Sequence, residues 1–321
     1  MGRLFSTGQY GIVRWEYAVL AIAVANVSTA SILVRLAGVH GFAAATWRLV
    51  LSTILTASIL AAAYALGSHR RPSLPQGMDL LLSIASGTAL ALHFDLWMAS
   101  LFHMSVAMSV TVVDSYPAVL ALVGYRVFRE RYTPLQLLGA FAAMAGVAGI
   151  AFYSSHGASS PPGGDPLKGF LLAFAGMLAV AAYFSIGKGL RQRYTTLEYT
   201  LPVYGSAALV SALLTILVVK APLTGYNEEV YLYLALLALL PMLGGHTLIN
   251  LLLRRLSLLA ATVPILGEPV GAAALAWIIL GEKLEIVEAL LMAIVLMGIG
   301  LVLYEENRVK VEGSAGSSTQ G

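Results

Sequence analysis

Apolar runs long enough to cross a lipid bilayer follow one another along nearly the whole chain. A helix needs about 20 apolar residues to span the hydrocarbon core, and ten candidate runs meet that need: residues 15–36, 43–66, 79–101, 104–126, 134–154, 167–189, 198–220, 230–252, 256–280 and 284–304. The runs are continuous, without the period-two alternation that marks strands of a membrane barrel. Composition removes the soluble alternative. With 59% hydrophobic residues, 11% charged residues and a mean hydropathy of +0.83, a globular domain of this length could not hide its apolar surface from water. The expected fold class is therefore all-α integral membrane, with ten transmembrane helices in a single membrane domain over 1–321.

The connections are short, as at Leu101-Phe102-His103 and Arg254-Arg255, so neighbouring spans must run antiparallel. Basic residues then set the direction. Arg3, Arg14, Arg70, Arg71, Arg126, Arg129, Arg131, Lys188, Arg191, Arg193, Arg254, Arg255, Arg308 and Lys310 all fall on one side, 14 of the 19 Lys and Arg residues. The other side holds Arg35, Lys168, Lys220 and Lys283, while Arg48 lies within a span. By the positive-inside rule both termini are expected in the cytoplasm, in a multi-pass protein of the cell (cytoplasmic) membrane. The first fourteen residues do not read as a cleavable leader, because the apolar run that follows is already of spanning length.

Two stretches 152 residues apart say nearly the same thing. Pro117, Ala121, Glu130, Leu138 and Gly146 recur as Pro269, Ala273, Glu282, Leu290 and Gly298, and Leu101, Ser105 and Arg131 are answered by Leu253, Ser257 and Lys283. Five spans per half is an odd number, so the second half is expected to run upside down relative to the first, as two inverted five-helix repeats. Repeat one would cover about 15–154 and repeat two about 167–304. A Gly/Pro/Ser-rich external linker would join them at 155–166, and 305–321 reads as a flexible tail.

Trp47-Arg48, the stretch PAVLALVGYRVFRERYTPLQLLGAFAAMAGV and its later counterpart EPVGAAALAWIILGEKLEIVEALLMAIVLMGIG resemble the drug/metabolite transporter (DMT) superfamily, EamA type. The first copy departs from the pattern at Arg129, where the second has Gly281. The resemblance covers about residues 15–304. It implies a carrier of small metabolites, often amino acids or their relatives, with a cavity enclosed by spans one to four and six to nine. It also adds weight to Arg48, since the family commonly has Arg there.

Ionisable groups at membrane depth cost roughly 2.5–3.5 kcal/mol each, so each needs a reason. Glu268 lies in Pro-Ile-Leu-Gly-Glu-Pro, between Pro264 and Pro269. Each ring removes an N–H, so the carbonyls of Ala260 and Ile265 are expected to lose their helical partners. Interrupted backbone at mid-depth is tolerated where protein or a wet cavity receives it. Glu268 then reads either as a cavity group carrying a proton or meeting a cation, or as a packing device bonded to another helix. Asp114, three residues before Pro117, sits at the corresponding depth in span four, although Tyr116 is the true counterpart of Glu268. If the two carboxyl groups approach, they cannot both ionise cheaply, which suits proton coupling. Arg48 shares a face with Ser52 and Thr56 and a depth with Asp95. It either pairs with Asp95 or clamps a substrate carboxylate with its fork.

His93 and Trp97 share one face of span three, and His246 and Asn250 one face of span eight, where Pro241 and Gly244-Gly245 weaken the helix. A gating or binding role and a bonded core position are both open. Asn26, with Ser28, Thr29 and Ser31, makes span one polar enough to line a cavity or to glue helices. Tyr116, Tyr183 and Trp97 could stack on a substrate or simply pack. No His-Glu-x-x-His spacing occurs and there are zero cysteines, so no metal and no cofactor are expected, nor is a nucleic-acid partner. The expected hinges are Pro117, Pro241, Pro264 and Pro269.

The reading these features support is a secondary transporter, not an enzyme, working by alternating access with lipid and a small-molecule substrate as its partners, and with proton coupling left open. The substrate is expected to be an amino acid or related zwitterion, and the alternative is a multidrug-type exporter of organic cations. An intramembrane enzyme would need a nucleophile and a base at one depth, and no Gly-x-Ser-x-Gly elbow is present. A frozen, non-transporting scaffold is the third reading, and buried charges argue against it.

Overall fold

The apolar runs fold as helices, because in lipid each backbone N–H and C=O must be satisfied within its own segment. The computed structural model describes residues 14–66, 72–104, 106–155, 164–275, 278 and 286–318. Among these residues there is no strand. The first half contains α1 (Arg14–Val27), α2 (Ala30–Ala37), α3 (Gly41–Ala65), α4 (Met78–Ser100), α5 (Val106–Val113), α6 (Tyr116–Arg126) and α7 (Pro134–Ser155). The second contains α8 (Pro166–Leu190), α9 (Thr196–Leu213), α10 (Glu228–Leu237), α11 (Leu248–Leu252), α12 (Leu258–Thr262), α13 (Glu268–Leu275) and α14 (Ile286–Ser318). A wider π turn over Leu214–Val219 extends α9, and another over Ala238–Thr247, around Pro241, joins α10 to α11.

Among the described residues, eight helical stretches are long and apolar enough to cross a membrane, among them Trp15–Ala37, Thr196–Val219 and Leu258–Leu275. The protein is a multi-pass membrane protein. The fourth expected span, 104–126, is not one continuous helix, because α5 stops at Val113 and α6 starts at Tyr116. Pro117 has no N–H to give to the carbonyl of Val113, and Ser115 Oγ donates to the carbonyl of Val112 at 2.7 Å. Span nine is broken in the same manner, by a 3-10 turn over Val263–Gly267 between α12 and α13. One expectation is corrected there. The Ile265 carbonyl is not orphaned, because the Glu268 N–H donates to it across the tighter turn.

Close packing sets the helix order. α4 lies against α8 and α9, α3 against α9, α6 against α12, α7 against α14, and α1 and α2 against the Glu228–Leu252 segment. Small residues bring the backbones together. A Cβ on Gly87 would lie 2.3 Å from the Val203 carbonyl of α9, and a Cβ on Gly298 would lie 2.5 Å from the Gly139 carbonyl of α7.

The tail expectation is also corrected. α14 continues past residue 304 to Ser318, and the first residues beyond 304 are tied down rather than free. Glu305 Oε2 accepts from Thr133 Oγ1 at 3.0 Å and Arg308 Nη2 at 2.9 Å, and Glu306 is 7% exposed. Ser105, Gly281, Glu282 and Lys283 of the sequence repeat lie outside the described residues. So do Arg3, Arg70, Arg71 and the linker core 156–163.

Candidate functional site

Both helix breaks open onto one small cavity between the two halves. It is lined by Val27, Ala30, Arg48, His93, Phe94, Trp97, Val113, Asp114, Tyr116, Val180, His246, Ile265 and Glu268. Tyr116 and Glu268 are the first residues of α6 and α13, and Asp114 sits in the two-residue gap before α6. The breaks therefore aim their polar side chains inward. The cavity volume is about 20 Å³, room for a single water. A drug-sized ligand occupies hundreds of cubic ångströms, so the cavity is too narrow for one as it stands.

Arg48 is the largest fully buried side chain, 1% exposed. Its Cζ stands 4.0 Å over the Phe94 ring, its Nε makes no hydrogen bond, and it belongs to none of the described ion pairs. Of the two readings left open for Arg48, the pairing with Asp95 is absent from the described ion pairs. Asp95 faces away from the cavity, where its Oδ1 accepts from Ser211 Oγ of α9 at 2.8 Å. The two side chains sit on different faces of their helices. Below Arg48, Ser52 Oγ donates to the Arg48 carbonyl at 2.6 Å. Asp114 and Glu268 interact electrostatically with each other, and Glu268 with Arg48. One Asp114 oxygen, Oδ2, has no partner.

Aromatic rings wall the site. His93 stacks on Trp97 with centroids 6.3 Å apart and bonds the Gly176 carbonyl through Nδ1 at 3.1 Å. His246 meets Phe94 edge-on at 5.2 Å and stacks on Phe184 at 5.9 Å, and Phe184 stacks on Tyr116 at 5.6 Å. Trp97 Nε1 and His246 Nδ1 are buried without partners. Phe94 and Phe184 escaped the sequence reading because an apolar ring in an apolar run carries no local signal.

Four expected site residues stand outside the lining. Asn26 donates to the Ile22 carbonyl at 2.8 Å and packs on Gly244. Asn250 Nδ2 donates to Tyr183 Oη and to the His246 carbonyl, so Asn250 and Tyr183 support His246 from behind. Asp95 is the fourth. Among the described residues no three His, Cys, Asp or Glu side chains gather as a metal site.

A second polar cluster lies at the other end of the broken ninth span. Glu130, from the turn after α6, accepts the Leu258 N–H through Oε2 at 2.9 Å and pairs with Lys188 Nζ of α8 at 3.1 Å. Tyr132 Oη donates to the same carboxylate at 2.7 Å, and burial beside it holds the phenol above its ordinary pKa. Glu306 accepts from Ser257 N at 3.0 Å, Ser257 Oγ at 2.8 Å and Gln136 Nε2 at 3.1 Å. Glu130 is thus a long-range cap on α12.

A solved crystal structure resembles this fold with a TM-score of 0.74, at 18% sequence identity over 92% of this chain and 99% of that one. The model of the EamA-like transporter family matches residues 167–304. The second half of the chain is thus similar to the EamA-like transporter family. No curated protein matches the chain by sequence. The family match is to transporters, which makes the cavity at the helix breaks the candidate binding site.

Proposed function

We propose that this protein is a secondary transporter of zwitterionic metabolites, with amino acids the leading class, working by alternating access around the Arg48–Asp114–Glu268 cavity. The unpaired guanidinium of Arg48 carries this reading. A buried cation outside any described ion pair is costly to hold, and a substrate carboxylate supplies the missing fork-to-fork contact. Asp114 and Glu268 face the same cavity and suit an ammonium group. Had Arg48 been consumed by Asp95, the remaining acids would favour organic cations, as in a multidrug-type exporter.

Ten spans in two inverted halves complete the proposal. Adding 152 to the first residues of α1, α5, α6 and α7 gives the first residues of α8, α12, α13 and α14. Packing obeys the same exchange. α7 with α14 and α3 with α9 map onto themselves, while α4 with α8 maps onto α1 and α2 with Glu228–Leu252. Each half then contributes one broken helix to the site, and rocking of the halves would expose it to either side. Coupling to protons through Asp114 or Glu268 follows from two acids in one dry chamber.

Purified protein in liposomes, supplied with a radiolabelled amino-acid mixture, is expected to accumulate label above empty vesicles and to lose that uptake in Arg48→Ala. Uptake confined to organic cations such as tetraphenylphosphonium would replace this reading with the exporter. No uptake of either class would end it.

A further inference from the structure

Asp95 is fully buried at 0% exposure, lies outside the substrate cavity, and has one carboxylate oxygen, Oδ2, without a partner. Its other oxygen begins a file of hydroxyls. Ser211 Oγ donates to Asp95 Oδ1 at 2.8 Å, Thr46 Oγ1 lies 3.0 Å from Ser211 Oγ, and Thr215 Oγ1 lies 2.9 Å from Thr46 Oγ1. Thr215 in turn reaches the Phe42 carbonyl at 3.2 Å and the Ser211 carbonyl at 2.8 Å. Thr46, Ser211 and Thr215 are themselves buried, at 3%, 0% and 0% exposure. The file runs from the middle of the α3–α4–α9 contact to half-buried Phe42, the second residue of α3, at the end of the bundle opposite the Glu130 cluster.

We infer that Asp95 is a proton-binding site of its own, loaded through the Thr215–Thr46–Ser211 hydroxyl file from the α3 N-terminal side and separate from the carboxyl pair of the substrate cavity. The inference rests on the transport reading only for its purpose; its chemistry stands alone. The file is a chain and not a cage. Each hydroxyl touches the next, and only Ser211 bonds the carboxylate, which suits a proton passed from oxygen to oxygen better than a cation needing several oxygens at once. In the step, a hydronium ion admitted at the Phe42 end gives a proton to Thr215 and leaves as water, while Thr215 releases its own to Thr46. Thr46 then releases one to Ser211, and Ser211 protonates Asp95. Each hydroxyl breaks one O–H bond as it gains another, and the carboxylate ends as a neutral acid.

Surroundings favour one dominant partner for that proton. The helices packed on α4 bring Arg48 from α3, Tyr183 and Lys188 from α8, and Tyr199 and Tyr204 from α9, with Asp114 after α5. None of these bonds or ion-pairs with Asp95 among the described contacts. An ionised Asp95 would leave Oδ2 as an uncompensated buried charge, and one proton removes it.

Infrared spectroscopy of the purified full chain in nanodiscs tests this without a known substrate. A protonated-carboxyl C=O band is expected that disappears in Asp95→Asn and survives in Asp114→Asn and Glu268→Gln. Its deuteration after transfer to D2O is expected to slow about tenfold in Thr46→Val, the rate equivalent of one hydrogen bond lost from the path. Absence of an Asp95-dependent band overturns the inference, as does unchanged deuteration in Thr46→Val. A melting temperature raised by sodium but not potassium in wild type and lost in Asp95→Asn would replace the proton with a cation. Failure of amino-acid uptake in liposomes would sink the transport reading alone and leave these bands to be judged separately.

Discussion

The guanidinium of Arg48 occupies the most demanding position in the protein, deep between helices with a phenyl face and no carboxylate in contact. A lysine there would keep the charge and lose the planar fork. Arg48→Lys is expected to cost about 1.5–3 kcal/mol of substrate affinity, the worth of a hydrogen bond to a charged group. The check is the amino-acid concentration giving a half-maximal shift in melting temperature. Asp114 and Glu268 form the other residue-level test. Because they repel across one cavity, neutralising either relieves the other, so Asp114→Asn with Glu268→Gln should stabilise less than the sum of the singles, by about 0.5–3 kcal/mol. Additive melting shifts would separate the two acids. Residue types at these positions were readable in the sequence, since charge in an apolar run stands out. Which face each points to was not, and Asp95 shows why: the stagger of α3 against α4 turns it toward Ser211.

Breaks and close approaches govern the elements. Pro117, Pro264 and Pro269 were legible as interruptions because a missing N–H is a local fact. How each broken end is repaired was not, since its partners come from elsewhere in the chain. Glu130 and Glu306 hold the first N–H groups of α12 from either side, while Ser257 caps it locally through Oγ to Ala260 N at 3.2 Å. Ser257→Ala is expected to cost about 0.5–2 kcal/mol of stability, as for other lost N-caps, read from thermal unfolding. At the α7–α14 contact, Gly298→Leu would drive a side chain into the Gly139 carbonyl and cost about 1–3 kcal/mol. Two residues on, Gly300 meets nothing within 4 Å, so Gly300→Leu should leave the melting temperature unchanged. Equal effects at both positions would contradict the close approach.

For the whole molecule, the distribution of basic residues makes orientation a testable matter. Zero native cysteines permit clean single-cysteine labelling. A cysteine at Gly225, between α9 and α10, is expected to react with an impermeant maleimide in intact cells, and one at Arg254 only after permeabilisation. The reverse pattern would invert the protein and place the mouth of the Asp95 hydroxyl file in the cytoplasm.

The sequence alone determined the solvent of this protein, its helical class, the places where helices break and the residue types that lie at depth. All of these follow from local chemistry: transfer energy, missing N–H groups and the cost of buried charge. Only the tertiary structure decided that Arg48 shares a cavity with Glu268 and Asp114 rather than pairing with Asp95, that Asp95 answers to Ser211, that Glu130 reaches across to α12 and that the cavity has a single water's volume. Those outcomes depend on how helices rotate and stagger against one another, and that is set by contacts between residues far apart in the chain.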